Sequence, residues 1–406
     1  MLIGTLDTKG EEILFLKERL LAMGAEALVV DIGILGPVPF PPDVPAQEIA
    51  KHADASLTGL AACGDRGAAV AAMQRGLAKW LPHYTRGNPV GGVLAIGGSA
   101  GASIATAGMR ELPAGVPKMM VSTLASGNTR PYVGTSDICM MYPIADFSGL
   151  NRITRTILAN AANAMAGMCC LPFPQAPERQ GTLLAATMFG VTTPCVDRAR
   201  RLLETEGFEL LVFHATGAGG QAMEQLVRDG FVRGVLDITT TELADELVGG
   251  ILSAGPARLE EAGRMGIPQV ISVGALDMVN FGPLDTVPER FRGRKLYQHN
   301  PTVTLMRTTA QENAELGSLI AQKAARAAGP VTIVLPLQGV SAIDAIGQPF
   351  YDPEADETLF AALRRNLAGN VKLVEVDAHI NDTAFAGKLV EEFLRMIGEA
   401  GKDAFA

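Results

Sequence analysis

Residues able to do chemistry gather in a few short runs. Thr5-Leu6-Asp7-Thr8-Lys9-Gly10-Glu11 stands between an apolar start and an amphipathic stretch. The Thr5 and Thr8 hydroxyls, backbone N–H groups and Lys9 could hold a phosphate at a helix N-terminus, and Asp7 is a candidate partner for Mg²⁺. Ordinary capping by Asp7 or Thr8 explains the same residues without a ligand. The run is not a Walker A loop, which needs G-x-x-x-x-G-K-[ST]. Gly97-Gly98-Ser99-Ala100-Gly101 is the second run. Its small residues let a ligand approach the backbone, and the helix that follows offers free N–H donors. It also satisfies G-x-S-x-G, the nucleophile elbow of serine hydrolases. Ser99 would then need one of His214, His299 or His379 downstream, and no single histidine is marked. In Ser122-Thr123-Leu124-Ala125-Ser126-Gly127-Asn128-Thr129, the candidates for phosphate or ribose contact are Ser122, Thr123, Gly127 and Asn128. A ligand-free turn has the same composition. Asp137 is a candidate ribose or Mg²⁺ contact, or a helix cap.

The second half carries Thr187, the run His214–Gly220 and Thr239-Thr240-Thr241-Glu242. A histidine at a strand end beside glycines, as His214 is, can serve as general acid or base, or as a structural residue. Asp277, Asn280, His299 and the run Gly339-Val340-Ser341-Ala342-Ile343-Asp344 follow. In Asp377-Ala378-His379-Ile380-Asn381-Asp382, His379 with Asp382 could orient a base or bind a metal. No H-x₃-H, H-E-x-x-H or carboxylate cluster appears, so a zinc site is not expected. No G-x-G-x-x-G follows a strand, which argues against a dinucleotide.

The elements that must position these runs alternate in type. Ile13, Leu16, Leu20 and Met23 share one helix face, Gly24 stops the helix, and Ala27-Leu28-Val29-Val30-Asp31 reads as a strand. Residues 183–214 repeat that plan, so that Thr5 maps to Thr187, Gly24 to Gly207 and Asp31 to His214. A second match runs from strand Val93–Ile96 and Gly97–Gly101 to strand Leu211–His214 and Gly217–Gly220. His214 ends both comparisons, so they imply repeated βα architecture and not one collinear duplication. Leu150, Ile153, Ile157, Ala161, Ala164, Met165 and Met168 mark a helix before Pro172-Phe173-Pro174-Gln175-Ala176-Pro177, which denies the backbone donors of helix or sheet. The chain is therefore divided near residue 178, into domains 1–178 and 179–406. The expected fold is α/β, with two Rossmann-like three-layer domains and mostly parallel sheets. Loops at the carboxyl ends of such strands, or the cleft between the halves, are the default ligand site.

The chain has 406 residues, 48% hydrophobic and 19% charged, which excludes a disordered protein. A net charge of −9 with no basic cluster argues against nucleic acid as a partner. No apolar run reaches the ~18 residues of a membrane span, and no secretory signal is read. A cytoplasmic location follows as an expectation. The five cysteines form no CxxC and read as buried, reduced thiols. Acidic residues at 353–357 and 391–399 read as solvated helix faces.

Taken together, Ile3–Glu11, Gly97–Gly101, Ser122-Thr123, Gly339–Asp344 and Ala378–Asp382 resemble the Tm-1-like ATP-binding family, also called UPF0261. The likeness spans essentially the whole chain. It departs at the start, where only Met1 and Leu2 precede Ile3 and the first strand is short. The plant founder of the family inhibits a tobamovirus and carries a further barrel domain for which this chain has no room, so antiviral activity is not carried over. The resemblance implies ATP binding, two Rossmann-like domains and a homodimer. The expectation is nucleotide held by Thr5, Asp7, Thr8, Lys9, Gly97, Gly98, Ser99, Ala100, Gly101, Ser122, Thr123, Gly127, Asn128 and Asp137. Magnesium would accompany a triphosphate. His214, His379 and Asp382 would act on a small-molecule substrate. A regulatory or partner-binding module without turnover, and a serine hydrolase using Ser99, are the alternatives.

Overall fold

The computed structural model describes residues 1–147, 149–170 and 181–400. It forms two compact units, Met1–Gln175 and Ala176–Ala406. The proline-rich run at 172–177, and the division near 178 drawn from it, lie outside the described residues.

The first unit runs β1 (Leu2–Gly4), α1 (Leu6–Ala22), β2 (Val29–Asp31), α2 (Ala46–Lys51), α3 (Leu57–Ala62), α4 (Arg66–Gly87), β3 (Val93–Ile96), α5 (Ser99–Met109), β4 (Lys118–Val121), α6 (Arg130–Val133), β5 (Cys139–Met141) and α7 (Arg152–Cys170). Its sheet is parallel throughout, in the order β2-β1-β3-β4-β5. Successive strand residues point to opposite faces. Leu2, Val29, Leu94 and Met119 pack on one side with Leu16, Leu20, Leu158 and Met165 of α1 and α7. Ile3, Val30, Ala95 and Met120 pack on the other with Ile49, Met73, Trp80 and Ala105 of α2, α4 and α5. Both faces are covered, so the strands are continuously apolar. Gly4 allows α1 to lie close, since a Cβ there would stand 2.7 Å from Ile13 Cδ1.

The second unit runs β6 (Leu183–Met188), α8 (Thr193–Thr205), β7 (Glu209–His214), α9 (Ala218–Arg228), β8 (Val235–Thr239), α10 (Glu242–Val248), α11 (Glu261–Met265), β9 (Gln269–Gly274), β10 (Met278–Phe281), β11 (Leu296–Asn300), β12 (Val303–Arg307), α12 (Ala310–Ala325), β13 (Val331–Pro336), α13 (Pro353–Asn366), β14 (Val371–Val376) and α14 (Thr383–Ala400). Its parallel sheet has the order β14-β13-β9-β8-β6-β7, and β10, β12 and β11 form a small antiparallel sheet. The α/β fold expected from the alternation of elements is present in both units.

Sheet order resolves the double use of His214. In both units the first strand lies between the second and the third, so β1 corresponds to β6, β2 to β7 and β3 to β8. The match of residues 2–31 to 183–214 is thus the architectural one. The loop Gly97–Gly101 corresponds to Thr239–Glu242, and not to Gly217–Gly220.

Two expectations about side chains are corrected. All five cysteines are free, but Cys63, Cys139, Cys169 and Cys170 are exposed and only Cys195 is buried. Cys63 caps α3, Cys139 opens the edge strand β5, and Cys169-Cys170 end α7, so none of the four lies within a packed face. The acidic helix faces are also not wholly solvated. Asp356 is buried against Arg307. Glu392 is buried among Lys372, Lys388 and Arg395.

Candidate functional site

Ligands of parallel sheets bind where the strand order reverses, because loops on either side of that point turn away and leave a crevice. In the first unit that point lies between β1 and β3. A cavity of about 610 Å³ opens there. One wing is polar, lined by Thr5, Asp7, Thr8 and Lys9 after β1, Gly98–Gly101 after β3, and Thr123 after β4. The other is apolar, lined by Ile32, Ile34, Leu35, Leu60, Val70, Met73 and Ile104.

Each run is fixed by local chemistry. Gly97 turns the chain from β3 into α5 at close quarters, because a Cβ there would stand 2.9 Å from Gly101 Cα. Gly98 caps α5 without a side chain. The first α5 backbone bond runs from Ala102 N to Gly98 O, leaving the N–H groups of Gly98, Ser99, Ala100 and Gly101 without a partner among the described residues. Such orphan donors, with the helix dipole behind them, attract an anion. Across the crevice, Thr5 Oγ1 and Thr8 Oγ1 lie 2.7 Å apart. At Lys9, φ of −130° and ψ of 21° break the first turn of α1, and its ammonium donates to Phe147 O.

Two aspartates brace this floor. Asp7 Oδ2 accepts from Ile34 N at 3.0 Å and Leu35 N at 2.8 Å, tying the loop after β2 to α1. Its buried Oδ1 has no hydrogen-bond partner among the described residues. Asp31, at the end of β2, accepts from Leu6 N at 3.0 Å and Gly33 N at 2.8 Å. Burial raises the Asp31 carboxyl above its ordinary range and Asp7 adds to this, while the two N–H bonds oppose it. Asp31 is therefore engaged in holding two loops together.

Other expected residues lie apart from the cavity wall. Buried Ser122 accepts from Leu124 N at 3.3 Å, and Asn128 Oδ1 accepts from Arg130 N at 3.2 Å, so both shape their own turn. Gly127 closes that turn, its N–H bonded to Leu124 O. Asp137 is corrected to the opposite edge. It pairs at 2.7 Å with Lys118, the first residue of β4, and accepts from Gly115 N at 2.8 Å. Burial works against ionisation there, but Lys118 and the Gly115 N–H hold the Asp137 carboxyl below its ordinary range. A ligand at the carboxyl edge is out of its reach.

In the second unit the corresponding crevice is filled from within. Thr187 Oγ1 accepts from Thr239 N at 3.1 Å, and Thr192 Oγ1 meets Thr239 Oγ1 at 2.7 Å. Glu242 Oε1 accepts from Gly217 N at 2.8 Å and Gly220 N at 3.0 Å, occupying the glycine loop with a carboxylate. Buried Arg258 meets Glu242 at 2.7 Å, Glu224 at 3.1 Å and Asp237. His214 is exposed at the end of the edge strand β7, its ring 5.4 Å from that of Phe189. His379 ties its own loop to the loop Gly339–Asp344, and Asp382 is committed to its own loop. His379 Nδ1 accepts from Asn381 N at 3.1 Å, which leaves Nε2 to donate to Ser341 O at 2.9 Å. Asp382 accepts from His379 N at 2.9 Å. Among the described residues no three His, Cys, Asp or Glu side chains gather to hold a metal, and no helix is long and apolar enough to cross a membrane.

The structure adds Ile32–Leu35, Leu60, Arg66, Ile104 and Asp146 to the wall. Ile32–Leu35 follow a strand and were accessible to the carboxyl-end rule. Arg66 stands just after an Asp65 cap, a signal of a helix start though not of a site.

Comparison with known proteins bears on the whole chain. A UPF0261 protein of Clostridium tetani is 49% identical over 400 residues, covering 98% of each chain. A UPF0261 protein of Mesorhizobium japonicum is 48% identical, covering 97% of each. The tomato ToMV resistance protein Tm-1(GCR237) is 45% identical over 82% of this chain, which spans only 45% of that protein. Sequence models of the uncharacterised protein family UPF0261 match residues 1–172 with its N-terminal domain and residues 181–397 with its C-terminal domain, and the chain belongs to that family.

Proposed function

We propose that this protein binds ATP or a related nucleotide in the cavity at the carboxyl edge of the first sheet. The observation that carries the reading is the row of four N–H groups at Gly98–Gly101 without a partner among the described residues, facing Thr5, Thr8 and Lys9 across the β1/β3 crevice. Backbone donors and hydroxyls would take the phosphates, and two of the three Lys9 ammonium donors are left for them beside the bond to Phe147 O. The apolar wing from Ile32 to Met73 suits a base or another flat apolar group. Magnesium fits as a phosphate-borne ion, because Mg²⁺ is commonly held by one or two carboxylates and the phosphates themselves. Asp7, with its unpartnered Oδ1, is the carboxylate that would hold it. The resemblance to the ATP-binding family supports the same ligand.

Among the described residues of the first unit no histidine lines the cavity, and this reading uses Ser99 through its backbone N–H. Whether the bound nucleotide is turned over against a small molecule, or only switches a partner surface, is decided by phosphate release on adding candidate metabolites. The primary experiment is calorimetric titration with ATP, ADP and AMP, with and without Mg²⁺. Saturable binding that weakens as phosphates are removed is expected. Absence of saturation by all three overturns the reading.

A further inference from the structure

We propose that Arg66 clamps the phosphate chain of the bound nucleotide, and that residues 57–66 form a cover that closes to bring it there. The proposal rests on the nucleotide reading above. Arg66 lines the cavity, is exposed, and makes no hydrogen bond or ion pair among the described residues. It forms no ion pair with the neighbouring Asp65, whose carboxylate accepts from Ala68 N at 3.0 Å as the cap of α4. Lys9, by contrast, is anchored to Phe147 O. Arg66 is thus the cation left free to follow a ligand. Its planar fork matches two phosphate oxygens at once, which an ammonium cannot do.

The segment that bears it is built to move. None of the six residues of α3 is fully buried, and Leu57 and Leu60 pack only partly against the core of the first unit. Leu60 and Ala61 face the cavity. Left-handed backbone stands at both ends of the segment, at Asp54 (φ 56°) and Gly64 (φ 68°). A Cβ at Gly64 would meet nothing within 4 Å, so no packed neighbour restrains that turn. A segment with so little buried surface lies at the low end of local stability. Closing over a ligand would bury Leu60 and Ala61 and carry Arg66 toward the donors of Gly98–Gly101.

The test uses the full chain, with ATP and AMP titrated into wild type, Arg66→Gln and Arg66→Lys, and hydrogen exchange of residues 57–66 followed with and without ATP. Arg66→Gln is expected to weaken ATP by roughly tenfold or more while changing AMP little, and Arg66→Lys to fall between, as loss of a charge-assisted bond to phosphate dictates. ATP is expected to slow exchange over 57–66 in wild type and less so in Arg66→Gln. Unchanged ATP affinity in Arg66→Gln, or unslowed exchange in ATP-saturated wild type, overturns this proposal and leaves the nucleotide reading standing. If wild type binds none of the nucleotides, both fall together.

Discussion

Gly101 separates folding from binding at the level of one residue. A Cβ placed on it would meet only Ile96 O at 3.7 Å and Thr5 Cγ2 at 3.9 Å, ordinary contact distances. Gly101→Ala should therefore fold and gain about 0.5–1 kcal/mol, because glycine within a helix costs that much relative to alanine. Gly101→Leu should keep the fold and fill the polar wing. Its thermal midpoint is expected near that of wild type, with nucleotide affinity down at least roughly tenfold, the scale set by about 1.4 kcal/mol per decade. Unchanged affinity in the folded Leu variant would contradict the placement. The runs on this wall were legible because small and hydroxyl residues after a strand have few other uses. The rest was not, because a side chain's role depends on what stands opposite. Asp137 and Asp382 look like ligands in sequence, yet one neutralises buried Lys118 and the other accepts a backbone N–H of its own loop. Nothing in the run Gly134–Asp137 reveals that a lysine fully withdrawn from water waits at the start of β4.

Elements were legible where apolar periodicity was unbroken. The strand Val93–Ile96 is present at its expected limits. The pairing of loops was not legible, because sheet order is a property of many strands together. That is why Gly217–Gly220 resembled Gly97–Gly101 in sequence while following β7, at a sheet edge. Arg258 shows how firmly the elements of the second unit are joined, since its guanidinium links β8, α9 and α10 through Asp237, Glu224 and Glu242. Burial raises the Glu224 carboxyl and the Asp237 carboxylate adds to it, while Arg258 opposes this. Replacing Arg258 by Met would strand three buried carboxylates. A loss of about 3–5 kcal/mol is expected, by analogy with breaking a buried ion pair. Urea unfolding monitored by circular dichroism reads it as a lower midpoint with an unchanged slope. A midpoint equal to that of wild type would mean the carboxylates find other partners.

At the scale of the whole molecule, buried charge also sets how stability depends on pH. Burial pushes Asp277 up to about 7, and the nearby Asp344 carboxylate adds to it, while Arg307 opposes. Its ordinary value is 3.8. The folded state then holds a proton that the unfolded chain has released, so stability falls as pH rises from about 4 toward about 7. Asp277→Asn keeps an oxygen for the Ser341 hydroxyl, which donates to Asp277 Oδ2 at 2.8 Å, and removes that titration. Its thermal midpoint relative to wild type should climb between about pH 4 and about pH 7 and level off above. A constant difference across that range would show that Asp277 is not the group responsible. The two units also differ in what they leave open. In the first, the glycine turn at the switch point ends in donors that have no partner among the described residues. In the second, the Gly217–Gly220 donors are held by Glu242. That carboxylate is a ligand tethered to its own receptor, present at a local concentration that dilution cannot lower. A free anion entering the second unit would face a competitor that never diffuses away. One architecture used twice thus gives two outcomes, donors left to a ligand in one unit and donors held by the chain's own carboxylate in the other, and evolution of a new specificity in the second unit would have to begin by discarding Glu242.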